Sequence, residues 1–224
     1  PEEYRERHED SFKAFCRTGS GHMVGRTVEL QGLRKGGATF PMELSLSALK
    51  TGEEWVFTGI IRDITKRKNA ERQVQRAYQI QSILYQLLQI SMKALPLSEV
   101  LARAIDLIIS VPWLRVEAKG CIFLVEEDVL VMKAQKGLGG AIRTDCARVP
   151  FGKCLCGRAA SSGRVEFAHC IDERHDIHYE GMGPHGHYCV PILSGALVLG
   201  VICLYVQEGH HQEEEEVEFL RSAA

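Results

Sequence analysis

The feature that most constrains this chain is the change of hydrophobic period along its length. Between residues 24 and 65, apolar residues alternate at positions such as Met42, Leu44 and Leu46, with turn signals at Lys35-Gly36-Gly37 and Lys50-Thr51-Gly52. A period of two sets alternate side chains on one face of a strand, so this stretch predicts three strands in an antiparallel meander. From Lys66 to about Ser110 the spacing becomes helical, with an interruption at Pro96. After Gly120 strand-like runs return as "GCIFLVEED", "VLVMKAQKG", "GHYCVPIL" and "LVLGVICLYV", and the acidic run near residue 213 opens a final helix. Residues 4–16, with Tyr4, Phe12 and Phe15, read as an opening helix stopped by Gly19 and Gly21. Such a chain belongs to the α+β class, with helices between and around antiparallel sheets.

Composition removes several classes of function. At 224 residues the chain has room for two compact domains. A formal charge of -2 gives no bulk attraction for nucleic acid, so no nucleic-acid partner is expected. No uncharged apolar run approaches the roughly 20 residues that span a bilayer, and nothing at the start resembles a signal peptide. A cytoplasmic location is the expectation, whether or not the whole protein is membrane-tethered. The 8 cysteines are accordingly read as reduced thiols rather than a disulfide framework. Both ends of the chain fall inside charged helical stretches, which suggests a fragment of something longer.

Residues 152–192, "GKCLCGRAASSGRVEFAHCIDERHDIHYEGMGPHGHYCVPI", concentrate four cysteines and five histidines. Cys154 and Cys156 sit two apart beside glycines. His185, His187 and Cys189 fall on alternate positions entering a strand, so their side chains share a face. These five are the candidate cofactor-binding residues. Cys154, Cys156, His185 and His187 together would satisfy a tetrahedral zinc or iron ion, with Cys146, His169, Cys170, His175 and His178 in reserve. Thiolates and imidazoles also hold iron–sulfur clusters and haem, although no C-x-x-C-H run for covalent haem is present. The competing reading is a small-residue turn and helix followed by a polar lid, "ERHDIHYEGMGPHG", that carries its histidines in solvent.

Two resemblances attach to these motifs. "VGRTVELQGLRKGGATFPMELSLSAL" and "FTGIIRDITKRKNAE", with the R-K-x-G-x-x-F-P hairpin and the closing R-D-I-T-x-R-K, resemble the C-terminal half of a PAS domain over residues 1–68. Residues 69–95 resemble the linker helix through which signalling modules dimerise in parallel, with Ala77, Ile80, Leu84, Leu87, Ser91 and Ala94 at 3-4 spacing. The same pattern fits an amphipathic helix packed on its own domain. Residues 96–224, through "KGCIFLVE", "VPFGKCLCGRAASSGRVE", "YCVPIL" and "LGVICLYV", resemble a GAF domain with a central antiparallel sheet flanked by helices, a likeness reaching back to about residue 75.

The resemblance implies a sensor module. A small-molecule or redox ligand, or a cofactor, would occupy the pocket between the "CGRAA" helix and the "VPI" strand. A parallel homodimer would relay the change to a downstream output domain, a histidine kinase or diguanylate cyclase, and in the former case to a response regulator. No kinase or cyclase motif lies in these residues, so no catalysis of that kind is expected from them. Some GAF proteins are free methionine sulfoxide reductases. "CLCGRAA" and "HGHYCVPI" are similar to their cysteine-bearing segments, which makes Cys156, near a helix N-terminus, a nucleophile of lowered pKa under that alternative. This chain enters its V-P strand through "HGHYC" where those enzymes carry an acidic residue. Covalent bilin attachment, as in phytochrome-like GAF domains, places His after the attaching Cys, and here the order is reversed as His169-Cys170.

Overall fold

The computed structural model describes residues 1–178 and 182–224. It divides into two compact units, Pro1–Tyr78 and Gln79–Ala224.

The first unit opens with helix α1 (Arg5–Thr18). The helix stops where Gly19 takes a left-handed φ of 68° and returns its N–H to Phe15 O at 2.7 Å. Strands β1 (Thr27–Leu33), β2 (Thr39–Thr51) and β3 (Glu54–Asp63) form an antiparallel meander in the order β1-β2-β3. Phe15 is buried edge-on against Trp55 and Phe57, with ring centres 5.0 and 5.3 Å away. The charged residues quoted from the sequence motifs form a clasp. Arg34 of the β1-β2 turn donates to Asp63 Oδ2, and Asp63 Oδ1 accepts the Thr65 N–H at 2.9 Å. Arg67 bridges Glu29 at 2.8 Å and Glu43 at 2.9 Å.

Helix α2 (Thr65–Ser91) carries the chain from the first unit into the second. Within the second unit, its Ile80, Ile83 and Leu87 pack against the apolar core. Val74, Tyr78, Tyr85, Leu88 and Met92 stay exposed. The stripe expected at 77, 80, 84, 87, 91 and 94 is therefore partly spent on the helix's own domain. The exposed apolar residues lie on other positions, spaced by three, four or seven.

The second unit continues with α3 (Leu97–Ile109), β4 (Val116–Glu126), β5 (Val129–Lys136), α4 (Gly140–Asp145), β6 (Arg148–Pro150), α5 (Cys154–Ser162) and β7 (Glu166–Ala168). It closes with β8 (Gly186–Ser194), β9 (Leu197–Val206) and α6 (Glu214–Ala223). Its sheet has the order β6-β5-β4-β9-β8-β7, with every neighbouring pair antiparallel. Both faces are covered, which is why the central strands read as nearly unbroken apolar runs. One face presents Ile122, Tyr188, Val190, Ile202 and Leu204 to α3 and α6, through Ile105, Ile108, Phe219 and Leu220. The other presents Cys121, Phe123, Cys189, Val201, Cys203 and Tyr205 to α5, through Leu155, Ala159 and Ala160. No helix of the described residues is long and apolar enough to cross a membrane.

Candidate functional site

The register of the central strands builds the site. Cys121 on β4 stands opposite Cys203 on β9, and Cys203 stands opposite Cys189 on β8. Residues directly opposite across strands share a face, so the three thiols form a row across the sheet. Helix α5 adds a fourth from above. Cys156 Sγ lies 3.5 Å from Cys189 Sγ, and Cys189 in turn donates to Cys203 Sγ at 3.7 Å.

A second cluster adjoins the first. His185 and His187 enter β8 on the same face, as their spacing requires, and His175 reaches them from the loop after β7. The three side chains are buried, and their ligand nitrogens all lie within 4.8 Å of one another. The loop is held for this purpose. Arg174 donates to Asp172 at 2.6 Å and to Phe167 O at 3.0 Å, while the His175 N–H donates to Asp172 O at 2.9 Å. Gly186 separates the two strand histidines because β7 passes close by, where a Cβ would stand 2.3 Å from Ala168 O.

Burial sets the charge states. It pushes His175 down to about 4, helped by the neighbouring His185 and His178, and holds His187 well below its ordinary value. It also pushes the Cys146 thiol up to about 12. Hydrogen bonds to Cys156 and Cys203, with burial, raise Cys189 well above the usual thiol range. For Cys156, the contact from Cys189 acts downward, and the hydrogen bond to Cys203 together with burial outweighs it, so this thiol too ends well above. The lowered pKa expected for Cys156 at a helix N-terminus is not found, because the hydrogen bond to Cys203 and burial outweigh the downward pull of Cys189 and of its own backbone amide.

The mixed set Cys154, Cys156, His185 and His187 does not converge. The described residues sort instead into Cys156, Cys189 and Cys203 on one side, and His175, His185 and His187 on the other. Cys154 belongs to neither group. It begins α5 at a φ of 56°, and its backbone N–H donates to Asp176. Cys146 and Cys154 line the cavity between the clusters. His169 and Cys170 contact each other at 3.5 Å and do not line that cavity, and His178 is exposed. The polar-lid reading fails at both ends of the insertion, where His175 and His185 are buried, and its residues 179–181 lie outside the described residues. Cys203 and Cys121, central here, are indistinguishable in sequence from ordinary small apolar core residues.

The cavity measures about 30 Å³. That is room for an ion with a water molecule, against the hundreds of Å³ of a site for an organic ligand. Haem or bilin does not fit this volume, nor does a multi-iron cluster. A single soft or borderline ion fits both its size and its donors.

Comparison with known proteins agrees with the fold. The sequence model of the GAF domain family matches residues 94–224, and the chain belongs to that family. A PAS domain model matches residues 4–66, so the order is PAS followed by GAF. The PAS region is similar to the sensor protein FixL of Bradyrhizobium diazoefficiens, with 35% identity over 75 residues, 34% of this chain and 15% of that protein. An uncharacterised protein of Azorhizobium caulinodans is 34% identical over 76 residues, 34% of this chain and 10% of its own length. The chain thus spans only a small part of the curated relatives it matches.

Among solved structures, the GAF domain of a phosphoenolpyruvate-protein phosphotransferase from Coxiella burnetii aligns with TM-score 0.55 and 21% identity. The alignment covers 64% of this chain and 86% of that one. The fRMsr of Staphylococcus aureus in its reduced form aligns with TM-score 0.53 and 16% identity, over 64% and 89%. These likenesses establish the GAF fold. The domain pair is that of a sensory signalling module.

Proposed function

We propose that this chain is the sensing part of a cytoplasmic signal-transduction protein, and that its GAF cavity receives the signal. The observation that carries this reading is the two-sided use of β8. One face of the strand holds His187 and Cys189 in the cavity wall, and the other holds Tyr188 against α6. A change at the cavity that moves β8 therefore reaches a terminal helix directly, as a population shift requires. The exposed apolar residues Val74, Tyr78, Tyr85 and Leu88 of α2, at heptad-compatible spacing, support a parallel homodimer through that face. An output domain, histidine kinase or diguanylate cyclase, would lie downstream and act on a response regulator or make a nucleotide messenger. The fragment itself is regulatory rather than catalytic.

The alternative, a free methionine sulfoxide reductase acting through Cys156, draws on the fold likeness to fRMsr and on the close approach of Cys156 to Cys189. The elevated thiol pKa values weigh against it, because the thiolate is the nucleophile.

Hydrogen exchange tests the proposal. The reduced protein is compared with samples treated with Zn²⁺ or with hydrogen peroxide, and protection is followed in α3, α6 and α2. Altered exchange in α6 is expected. Unchanged exchange in all three helices under both treatments would sink it, and turnover of methionine sulfoxide with a thiol reductant would favour the enzyme.

A further inference from the structure

We propose that His175, His185 and His187 form a binding site for one divalent first-row transition ion, held by three imidazole nitrogens with a coordination position open towards the thiol-lined cavity. This deepens the reading of the cavity as the receiving site and rests on it.

The spacing of the rings is compatible with such an ion. Their centres are 4.9 Å apart for His175 and His187, 5.3 Å for His175 and His185, and 4.7 Å for His185 and His187. Metal–nitrogen bonds of about 2.0–2.1 Å, with roughly another 1.1 Å to each ring centre and tetrahedral angles, put the centres roughly 5 Å apart. One ligand nitrogen of each ring also lies within 4.8 Å of those of the other two.

The hydrogen bonds leave the right atoms free. His185 Nδ1 lies 2.6 Å from Gly183 O, a carbonyl that can only accept, so this nitrogen carries the proton and Nε2 keeps its lone pair. His187 Nδ1 contacts Cys203 Sγ at 3.4 Å, which leaves its Nε2 for the ion. Partners of this kind on the far ring nitrogen fix the orientation of metal-ligating histidines. His175 supplies the independent sign. Its Nδ1 is buried and has no hydrogen-bond partner among the described residues, in a residue only 7% exposed. Buried ring nitrogens are nearly always satisfied, so this one calls for an occupant.

Charge and space complete the fit. Asp176 lies near enough to act on His175 and offsets part of the charge of a dication held by neutral rings, whereas Asp172 is already paired with Arg174. His175 and His187 both line the cavity, so a water molecule or small exogenous ligand can take the fourth position. Three histidines with an open position make a reactive type of site rather than a closed structural one. The thiols of Cys156, Cys189 and Cys203 line the same cavity and do not belong to the ligand set.

Cobalt(II) distinguishes the possibilities. The whole chain, chelator-treated, reduced and kept free of oxygen, is titrated with Co²⁺ and followed by absorption. The expected result is one equivalent bound, with visible d–d bands and no sulfur-to-cobalt charge-transfer band in the near ultraviolet. His175→Ala should weaken binding by about 10-fold or more, and added imidazole should restore the spectrum by filling the vacated space. His185→Ala should behave alike, with circular dichroism reporting that the variants fold. Absence of cobalt binding would overturn the proposal, as would a sulfur-to-cobalt band that disappears in Cys156→Ser, which would put the ion on the thiols. Hydrogen exchange in α6 separates the two claims. Cobalt bound as expected with α2, α3 and α6 all unchanged under both treatments leaves the metal site standing and removes the sensing role. A peroxide response in α6 without cobalt binding does the reverse.

Discussion

Cys203 Sγ lies 3.4 Å from His187 Nδ1 while also accepting the Cys189 thiol at 3.7 Å, so one residue of β9 joins the imidazole cluster to the thiol cluster. The contact gives Cys203 a positioning role for the His187 ring. Replacing it by Val keeps the volume of a small apolar residue and removes the ring's partner. Cys203→Val is expected to lower Co²⁺ affinity by about 10-fold without changing the number of equivalents bound, and Cys203→Ser, which restores a hydrogen-bonding atom, should recover part of the loss. Titration of the three proteins checks this, and equal affinities would show that Cys203 does not orient the ring.

The thiol row should be chemically quiet. Cys16 is exposed, whereas Cys189 and Cys203 are buried and the Cys156 sulfur is turned into the core. Iodoacetamide labelling of the native protein near neutral pH, read by mass spectrometry, is expected to modify Cys16 at least about 10-fold faster than Cys156, because alkylation proceeds through the thiolate. In denaturant the difference should vanish. Native labelling of Cys156 as fast as Cys16 would contradict the raised pKa and revive the nucleophile.

Gly186 ties the site to the sheet. With Ala168 O 2.3 Å from the place a Cβ would occupy, Gly186→Ala must push β7 away from β8 between the two strand histidines. Overpacking of this kind costs about 1–3 kcal/mol. The variant should melt lower and lose Co²⁺ binding, whereas unaltered melting and binding would mean that β7 yields without strain.

These contacts mark the boundary of what the sequence could convey. His185, His187 and Cys189 share a face by strand period alone, and the structure keeps them on one face. Cys203 and Cys121 were hidden, since their roles depend on strand register, which no local pattern encodes. His175 lies in a loop without period, held inward by the bonds of Arg174 to Asp172 and Phe167 O and of its own N–H to Asp172 O. The elements α4, β6 and β7 are three to six residues long, too short for a period to show. The R-K-x-G-x-x-F-P and R-D-I-T motifs were visible as a family pattern, and their physical content is the clasp from Arg34 to Asp63.

That clasp predicts a pH dependence. The Thr65 hydroxyl, close by although outside good hydrogen-bond geometry, the Thr65 N–H and the Arg34 guanidinium hold Asp63 down at about 2, from an ordinary value of 3.8. A carboxylate depressed in the folded state contributes stability above its unfolded pKa and loses it as pH falls towards the folded one. Asp63→Asn should therefore melt below wild type at neutral pH, with the gap closing between pH 3.8 and about 2. Melts followed at Trp55, in a Trp113→Phe background, would show it. A gap independent of pH would assign the effect to helix capping rather than charge.

The proposed relay from the cavity to α6 runs through a buried contact. Tyr188 Oη donates to Glu216 Oε2 at 2.7 Å, and His210 Nε2 lies 2.9 Å from the same oxygen, with Glu216 only 1% exposed. A carboxylate so enclosed depends on its donors. Since Tyr188 sits between His187 and Cys189 but points to the opposite face, any displacement of β8 by an occupant of the cavity must drag or break this bond. Tyr188→Phe leaves the ring packing against Phe167 in place and removes the hydroxyl. It is expected to cost about 1–3 kcal/mol. It should also abolish the change in α6 hydrogen exchange on Co²⁺ or peroxide treatment, while Co²⁺ affinity stays within about 2-fold of wild type. Full retention of the α6 response would mean that the signal reaches α6 by another route, the apolar packing of Phe219 and Leu220 on the sheet.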